Sequence, residues 1–240
     1  MATPDLSFRL SALIVCVNYW DFLQRTLPLN REHFDEVVVV TATGDDRTIQ
    51  VCADLDVRCC VTDEFYVDNA PFNKGRAINH ALHGLTDPKW MALMDADIVL
   101  PPTFRQRLST SGLHPAKLYT CDRYVCDTPD LWDKIRRGAS HLYHRQPYPA
   151  EDFLYIPQWD QITKRLSLPL GYLQIAHYGG ILSELGYPTS SDDANWSDVE
   201  FSQCYPAGDR VWIDGMRVIH LGTTGVNEKG LIQPAQRSWS

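Results

Sequence analysis

Glu36 to Thr62 reads EVVVVTATGDDRTIQVCADLDVRCCVT. Its first part, Glu36 to Ala42, is a run of β-branched residues, the pattern of a strand buried on both faces. Turn residues follow at Thr43 and Gly44, and the chain to Leu55 continues as a helix. Val57 to Thr62 is a second short apolar run. Strand, helix and strand in this order make a βαβ unit, whose strands lie parallel.

The alternation extends outward on both sides. Ser11 to Tyr19 (SALIVCVNY) reads as a buried strand, and Asp21 to Leu29 as a helix stopped near Pro28. Beyond Thr62, Asn73 to Leu85 places Ala77, Ile78, Ala81, Leu82 and Leu85 on one helical stripe. Lys89 to Asp95 is a fourth strand. The pattern predicts an α/β fold with a Rossmann-like, mostly parallel central sheet flanked by helices. The second half is less regular. Lys117 to Asp127 and Gly171 to Tyr178 read as strands. Pro188 to Asp198 reads as a polar loop leading into a helix, Arg210 to Gly222 as a hairpin around Asp214 and Gly215, and Gly222 to Gly230 as a flexible segment. No repeat or low-complexity linker divides the chain, so one domain over residues 1–240 is expected.

The 240 residues are 44% hydrophobic and 22% charged, which allows a sizeable core. The formal charge of −8 argues against a general nucleic-acid coat but leaves room for a local basic groove. No apolar run reaches the ~18 residues of a membrane span, and Met1 to Ser11 shows no signal-peptide pattern. The seven cysteines include adjacent Cys59 and Cys60 but no paired CxxC motifs. They read as reduced thiols of a cytoplasmic protein rather than a disulfide frame or a zinc site.

Met91 to Pro102 (MALMDADIVLPP) is the chemical anomaly. An apolar strand stops at Asp95, and Asp97 follows two residues later. In open α/β sheets ligands sit beyond the carboxyl ends of the strands. Residues two apart in extended chain point the same way, so the two carboxylates can converge. Converging carboxylates repel unless a cation or proton holds them, and hard oxygen ligands suit Mg²⁺ or Mn²⁺ beside a diphosphate. A solvated turn leading into a helix is the other reading of the same residues.

Four segments in order, FNKGRAIN, MALMDAD, NWSDVEF and VIHLG, resemble the nucleotide-sugar glycosyltransferases of the GT-A fold. The similarity is greatest to family 2 and to the galactosyltransferase-like and chondroitin-polymerase-like enzymes, and it runs from about Leu13 to Gly222. The resemblance implies a metal-dependent transfer from a nucleoside-diphosphate sugar, taken as a UDP-sugar, to an acceptor hydroxyl with inversion. It implies a nucleotide-binding half over about residues 1–100 and an acceptor-binding half over about 101–240. Asp95 and Asp97 match the D-x-D that holds Mn²⁺ or Mg²⁺, and His220 matches a late histidine that completes the metal site. Val17, Asn18, Asn73, Lys74 and Arg76 match the nucleotide-holding segments, and Ala96 sits inside the D-x-D. Asp198 matches the general base of an ED-x-EF signature, although Ser197 stands where the first acidic residue belongs.

Other features keep two readings. Ser197 to Glu200 is also a capping box, in which Asp198 would only favour the positive helix end. Glu200 is a helper of the base or a cap. Asp45 and Asp46 are nucleotide contacts or a solvated helix start. Tyr178, Gly179 and Gly180 let sugar approach the backbone or only turn the chain. Trp196 stacks on an acceptor ring or packs in the core. The segment after Gly222 is a lid over the donor or a plain tail.

Lys134 to Pro149 carries Lys134, Arg136, Arg137 and Arg145 among histidines and tyrosines, with no acid inside it. That composition suits a polyanion with stackable bases, or a solvated loop. Compact phage enzymes that glucosylate hydroxymethylpyrimidines in DNA are similar in size. Saccharide and hydroxymethylpyrimidine DNA acceptors both stay open. A nucleotidyltransferase, or a non-catalytic nucleotide-sugar-binding module, is the alternative class. The first would show a Gly-rich basic loop where this chain reads VNYWDF, and the second would have lost the D-x-D.

Overall fold

A computed structural model describes residues 8–138, 154–192, 194–222 and 239. The expected strands form β1 (Leu10–Val15), β2 (Glu36–Ala42), β3 (Arg58–Thr62) and β4 (Trp90–Asp95). The helices between them are α1 (Trp20–Asn30), α2 (Asp46–Asp54) and α3 (Lys74–Leu82). The second half adds β5 (Ile98–Val99), α4 (Phe104–Thr110), β6 (Leu118–Cys126), α5 (Pro129–Arg136) and α6 (Gln158–Arg165). It ends with β7 (Leu173–His177), α7 (Ala194–Gln203) and β8 (Arg210–Leu221).

All eight strands join one sheet in the order β3-β2-β1-β4-β7-β6-β8-β5. The run β3-β2-β1-β4 is parallel, as is the β6–β8 pair. Antiparallel pairings join β4 to β7, β7 to β6 and β8 to β5. The valines of β2 alternate between two apolar clusters, Val39 on one face of the sheet and Val38 and Val40 on the other. Burial on both faces is why β2 could not alternate apolar with polar residues. The expected single α/β sheet with flanking helices is present. Among the described residues no helix is long and apolar enough to cross a membrane.

Three local expectations are corrected. The first helix does not stop near Pro28 but carries it inside and ends at Asn30. The proline removes one hydrogen bond near the helix end, and the Asn30 side chain anchors that end to the backbone of Ile98 and Leu100. Arg210 to Gly222 is not a hairpin but a single strand. Gly215 takes the left-handed φ of +66°, and the kink is absorbed as a register shift, with Trp212 opposite Thr120 and Arg217 opposite Asp122. Ser197 does not cap α7, because that helix begins at Ala194 and buries Ser197 within it. Residues 139–149 of the basic stretch and residues 223–230 of the expected lid lie outside the described residues.

Gly75, in the first turn of α3, is fixed by packing. A β-carbon there would overlap the backbone carbonyl oxygen of Pro188, and the neighbouring Asn73 amide donates to the Thr189 carbonyl at 2.9 Å. Gly75→Ala is therefore expected to destabilise the protein by about 2–3 kcal/mol. Chemical denaturation measures this, and an unchanged midpoint contradicts the close contact.

Candidate functional site

The Asp95–Asp97 turn leaves β4 at the carboxyl end of the parallel strands, where Asp95 is in register with Val15. Helix α1 clamps it from behind. The Thr26 hydroxyl donates to the Ala96 carbonyl at 2.6 Å. The Asn30 amide donates to the Ile98 carbonyl at 2.7 Å, and the Leu100 N–H donates to the Asn30 side-chain oxygen at 2.9 Å. The turn is thus held rigidly on both sides of Asp97.

The β5–β8 ladder brings His220 to the turn. Ile98 is opposite His220, and the Leu221 N–H donates to the Asp97 carbonyl at 2.8 Å. The His220 Nε2 lies 3.4 Å from Asp97 Oδ2. The His220 Nδ1 is 3.1 Å from the Gly222 carbonyl, which only accepts, so Nδ1 carries the proton and the Nε2 lone pair faces Asp97. Both side chains are buried, and Asp97 Oδ1 has no hydrogen-bond partner among the described residues. Burial, then the Asp95 charge, pushes Asp97 up to about 8. Burial, then the Arg123 guanidinium, pushes His220 down to about 3. In the absence of a cation the pair is therefore a protonated carboxyl beside a neutral imidazole. An orphaned carboxylate oxygen next to a free imidazole lone pair is a donor set that fits a divalent cation.

Asp95 is differently engaged. The buried Lys74 Nζ is 2.6 Å from its Oδ1. Burial pushes Lys74 down, but Asp95 and Asp198 push it up further, and it ends above its ordinary value. Among the described residues no three His, Cys, Asp or Glu side chains converge on one point. Asp97 and His220 come together, and Asp95 faces Lys74.

Asp198 reaches the same strand end from α7. The Gly171 N–H donates to its Oδ2 at 2.5 Å, and a β-carbon on Gly171 would stand 2.8 Å from the Asp198 β-carbon and 3.1 Å from Lys74 Nζ. Gly171 is required by that approach. Below it the Gln174 amide donates to the Asp198 carbonyl at 2.9 Å and the Ser202 hydroxyl at 3.1 Å, fixing α7 to β7. Burial pushes the Asp198 carboxyl up, against the opposing effects of Lys74 and the Gly171 N–H.

The other expected residues divide. Val17 and Asn18 follow β1 at the same end of the sheet, with Asn18 at a left-handed φ of 56°. Asp45 accepts from the Asn18 N–H, the Thr41 hydroxyl and both the N–H and hydroxyl of Thr48. It thereby joins β1, β2 and α2. Asn73 caps α3 through the Arg76 N–H, and Arg76 pairs with Asp68 at 2.8 Å. Glu200 accepts from the Ser190 hydroxyl at 2.7 Å. Trp196 is 58% exposed, so its core reading is corrected. It projects from the side of α7 roughly opposite Asp198.

Tyr178, Gly179 and Gly180 are not at this site. Strand β7 runs antiparallel to β4, so the Tyr178 N–H bonds to the Lys89 carbonyl at the start of β4. That is roughly 20 Å along the strand from Asp95. The residue beside Asp95 is Tyr172, whose carbonyl accepts the Asp95 N–H at 3.3 Å.

Sequence reasoning missed Gly171, Gln174 and a buried pair near Asp97 and His220. Arg123 binds Asp160 through two contacts of 2.6 and 2.8 Å, and its guanidinium lies 4.4 Å from the Tyr172 ring centre. The signal was a charged residue within the apolar strand LYTCDRYVC. Its partner, Asp160, is 37 residues away in sequence.

The model of the family described as glycosyl transferase family 2 matches residues 11–163, so Asp198 and His220 lie beyond the match. No curated protein matches this chain. Among solved structures, a mycobacterial protein superposes with a TM-score of 0.50 at 13% identity, over 89% of this chain and 65% of its own. The glucosyl-3-phosphoglycerate synthase of Mycobacterium tuberculosis, solved with phosphoglyceric acid, gives 0.48 at 15%, over 89% of this chain and 70% of its own. The mannosyl-3-phosphoglycerate synthase of Rubrobacter xylanophilus gives 0.48 at 17%, over 72% of this chain and 54% of its own.

The Asp97–His220 pair has a pH signature in cation-free protein. Asp97 is raised, so the folded chain keeps a proton that the unfolded chain loses between 3.8 and about 8, and stability falls as pH rises through that window. His220 is lowered, so the unfolded chain holds the extra proton between about 3 and 6.5, and stability falls as pH drops through that window. The two slopes cancel where the windows overlap, leaving Asp97 alone from 6.5 to about 8. Relative to Asp97→Asn, wild-type protein should lose stability there by up to about 1.4 kcal/mol per pH unit. Urea melts across this range in chelator test it; parallel curves for the two proteins contradict the assignment.

Proposed function

Because the chain belongs to glycosyl transferase family 2, and is on that ground a glycosyltransferase, we propose that it uses a divalent cation, Mn²⁺ or Mg²⁺. In this reading it moves a sugar from a nucleoside-diphosphate donor, taken as a UDP-sugar, to an acceptor hydroxyl with inversion. The observation that carries the proposal is the buried, unpartnered Asp97 oxygen beside the His220 lone pair. Asp97 and His220 would hold the cation, and Asp95 would face the donor beside Lys74. When bound, the cation supplies neutralisation of the charge that grows on the departing diphosphate.

The chain's own residues supply the rest. Val17, Asn18 and Lys74 stand at the strand ends where the nucleotide would lie, with Asp45, Asn73 and Arg76 shaping the loops around them. Asp198 is the general base. It takes the acceptor proton as the acceptor oxygen bonds to the anomeric carbon and the bond to the diphosphate oxygen breaks. Its burial makes the carboxylate a stronger base than an exposed one. The Gly171 N–H holds one of its oxygens in place. Lys74, close to both Asp95 and Asp198, places one positive charge between the two carboxylates and offsets their repulsion. Trp196 and Glu200 project from the side of α7 turned away from Asp198 and take no part in this step. The acceptor hydroxyl belongs to a saccharide or to hydroxymethylpyrimidine DNA.

Release of nucleoside diphosphate from a panel of sugar donors, with and without Mn²⁺, tests the reading. Release should require the cation and be lost in Asp97→Ala. Asp198→Asn should bind donor as wild type does but transfer about 10²–10⁴-fold more slowly. Full transfer by Asp198→Asn would show that another group takes the proton. Saccharide, hydroxymethylated DNA and unmodified DNA, offered in parallel, identify the acceptor.

A further inference from the structure

A cavity of about 650 Å³ lies apart from the strand-end cluster, between the end of α1, the start of α4, α5 and the β5–β8 edge of the sheet. Its size is that of a small-molecule site. Its inner wall is apolar and aromatic: Val99, Tyr124, Trp132 and Ile219 line it, with Tyr124 and Trp132 buried. Val99 and Ile219 are opposite each other in the β5–β8 ladder, one step beyond Ile98 and His220. The cavity and the cation donors therefore share a wall.

The polar groups of this cavity are strongly one-sided. Arg107 from α4, Arg136 from α5 and Arg217 from β8 all line it, and all three are exposed. Among the described residues none of the three forms an ion pair. The Arg217 guanidinium lies 5.5 Å from the Tyr124 ring centre, and Arg107 Nε donates to the Thr103 hydroxyl at 3.2 Å. Among the described residues Glu32 is the single carboxylate in the lining, and burial pushes His33 toward its neutral form. A protein with a formal charge of −8 thus gathers three guanidiniums, none in an ion pair among the described residues, over an apolar, aromatic wall. Guanidinium forks suit phosphate and carboxylate groups, and the wall beneath them offers an apolar body a place out of water.

We propose that this cavity binds an amphipathic anion, its phosphate or carboxylate head between Arg107, Arg136 and Arg217 and its apolar body against Trp132 and Tyr124. The site is distinct from the strand-end cluster, and its occupancy does not depend on the transfer reaction.

Calorimetric titration of the whole chain with monomeric octyl phosphate tests the site without donor or cation. One molecule should bind, and octyl trimethylammonium should not. Arg136→Gln with Arg217→Gln should weaken octyl phosphate at least about tenfold. Both arginines are exposed, and an unchanged thermal midpoint verifies that the double variant is folded. Vesicles bearing an anionic lipid form a second arm. Capture by them, lost in the double variant, assigns a lipid headgroup. Octyl phosphate binding without capture assigns a free metabolite. No octyl phosphate binding, equal binding of the cationic probe, or undiminished affinity in the folded double variant overturns the proposal.

Discussion

Three carboxylates, one of them buried, crowd the end of β4 around a single buried lysine, and the surrounding elements are arranged to hold them there. Asp97 is 6% exposed, and Asp95 and Asp198 stand within reach of the same Lys74. Each buried charge costs several kcal/mol unless it is paired or neutralised. The chain meets that cost in two ways. Lys74 is buried against Asp95 and close to Asp198, so those two carboxylates share one ammonium. Asp97 has no such partner for one of its oxygens; it lies beside an imidazole and above the Arg123–Asp160 pair. Asp160 holds that guanidinium through its Nε and one Nη, and the positive charge still disfavours a proton on His220. The arrangement leaves one Asp97 oxygen without a partner among the described residues, beside an imidazole nitrogen 3.4 Å from the other oxygen.

The scaffold explains why these groups do not relax away. Thr26 and Asn30 hold the backbone on both sides of Asp97, and the Leu221 N–H takes its carbonyl. Gly171 and Gln174 fix Asp198 from β7. Helix, edge ladder and antiparallel strand therefore converge on one end of β4. A functional site whose donors sit on strands and helices keeps its geometry better than one built on loops alone.

Much of this was legible in the sequence because it is local. The valines of Glu36 to Ala42, the stripe of α3 and the interruption of an apolar strand at Asp95 are each visible within a short window. What was hidden depends on long-range pairing. Nothing near Gly171 to Tyr178 says that β7 enters the sheet antiparallel to β4. That direction alone puts Gly171 beside Asp198 and sends Tyr178, Gly179 and Gly180 to the far end. The Arg123–Asp160 pair was hidden for the same reason. Asp214-Gly215 carried a true turn signal, but the strands on either side of it both pair with β6, so the signal became a bulge. Ser197 to Glu200 satisfied a capping pattern that the earlier start of α7 made irrelevant.

In the proposed reading Asp97 and His220, rather than Asp95, grip the cation. Mn²⁺ binding to the donor-free protein, followed by electron paramagnetic resonance, tests it directly. Asp97→Asn and His220→Gln should each weaken Mn²⁺ at least about tenfold, while Asp95→Asn, which removes a carboxylate held by Lys74, should weaken it much less. Loss of binding in Asp95→Asn with wild-type affinity in Asp97→Asn would contradict it.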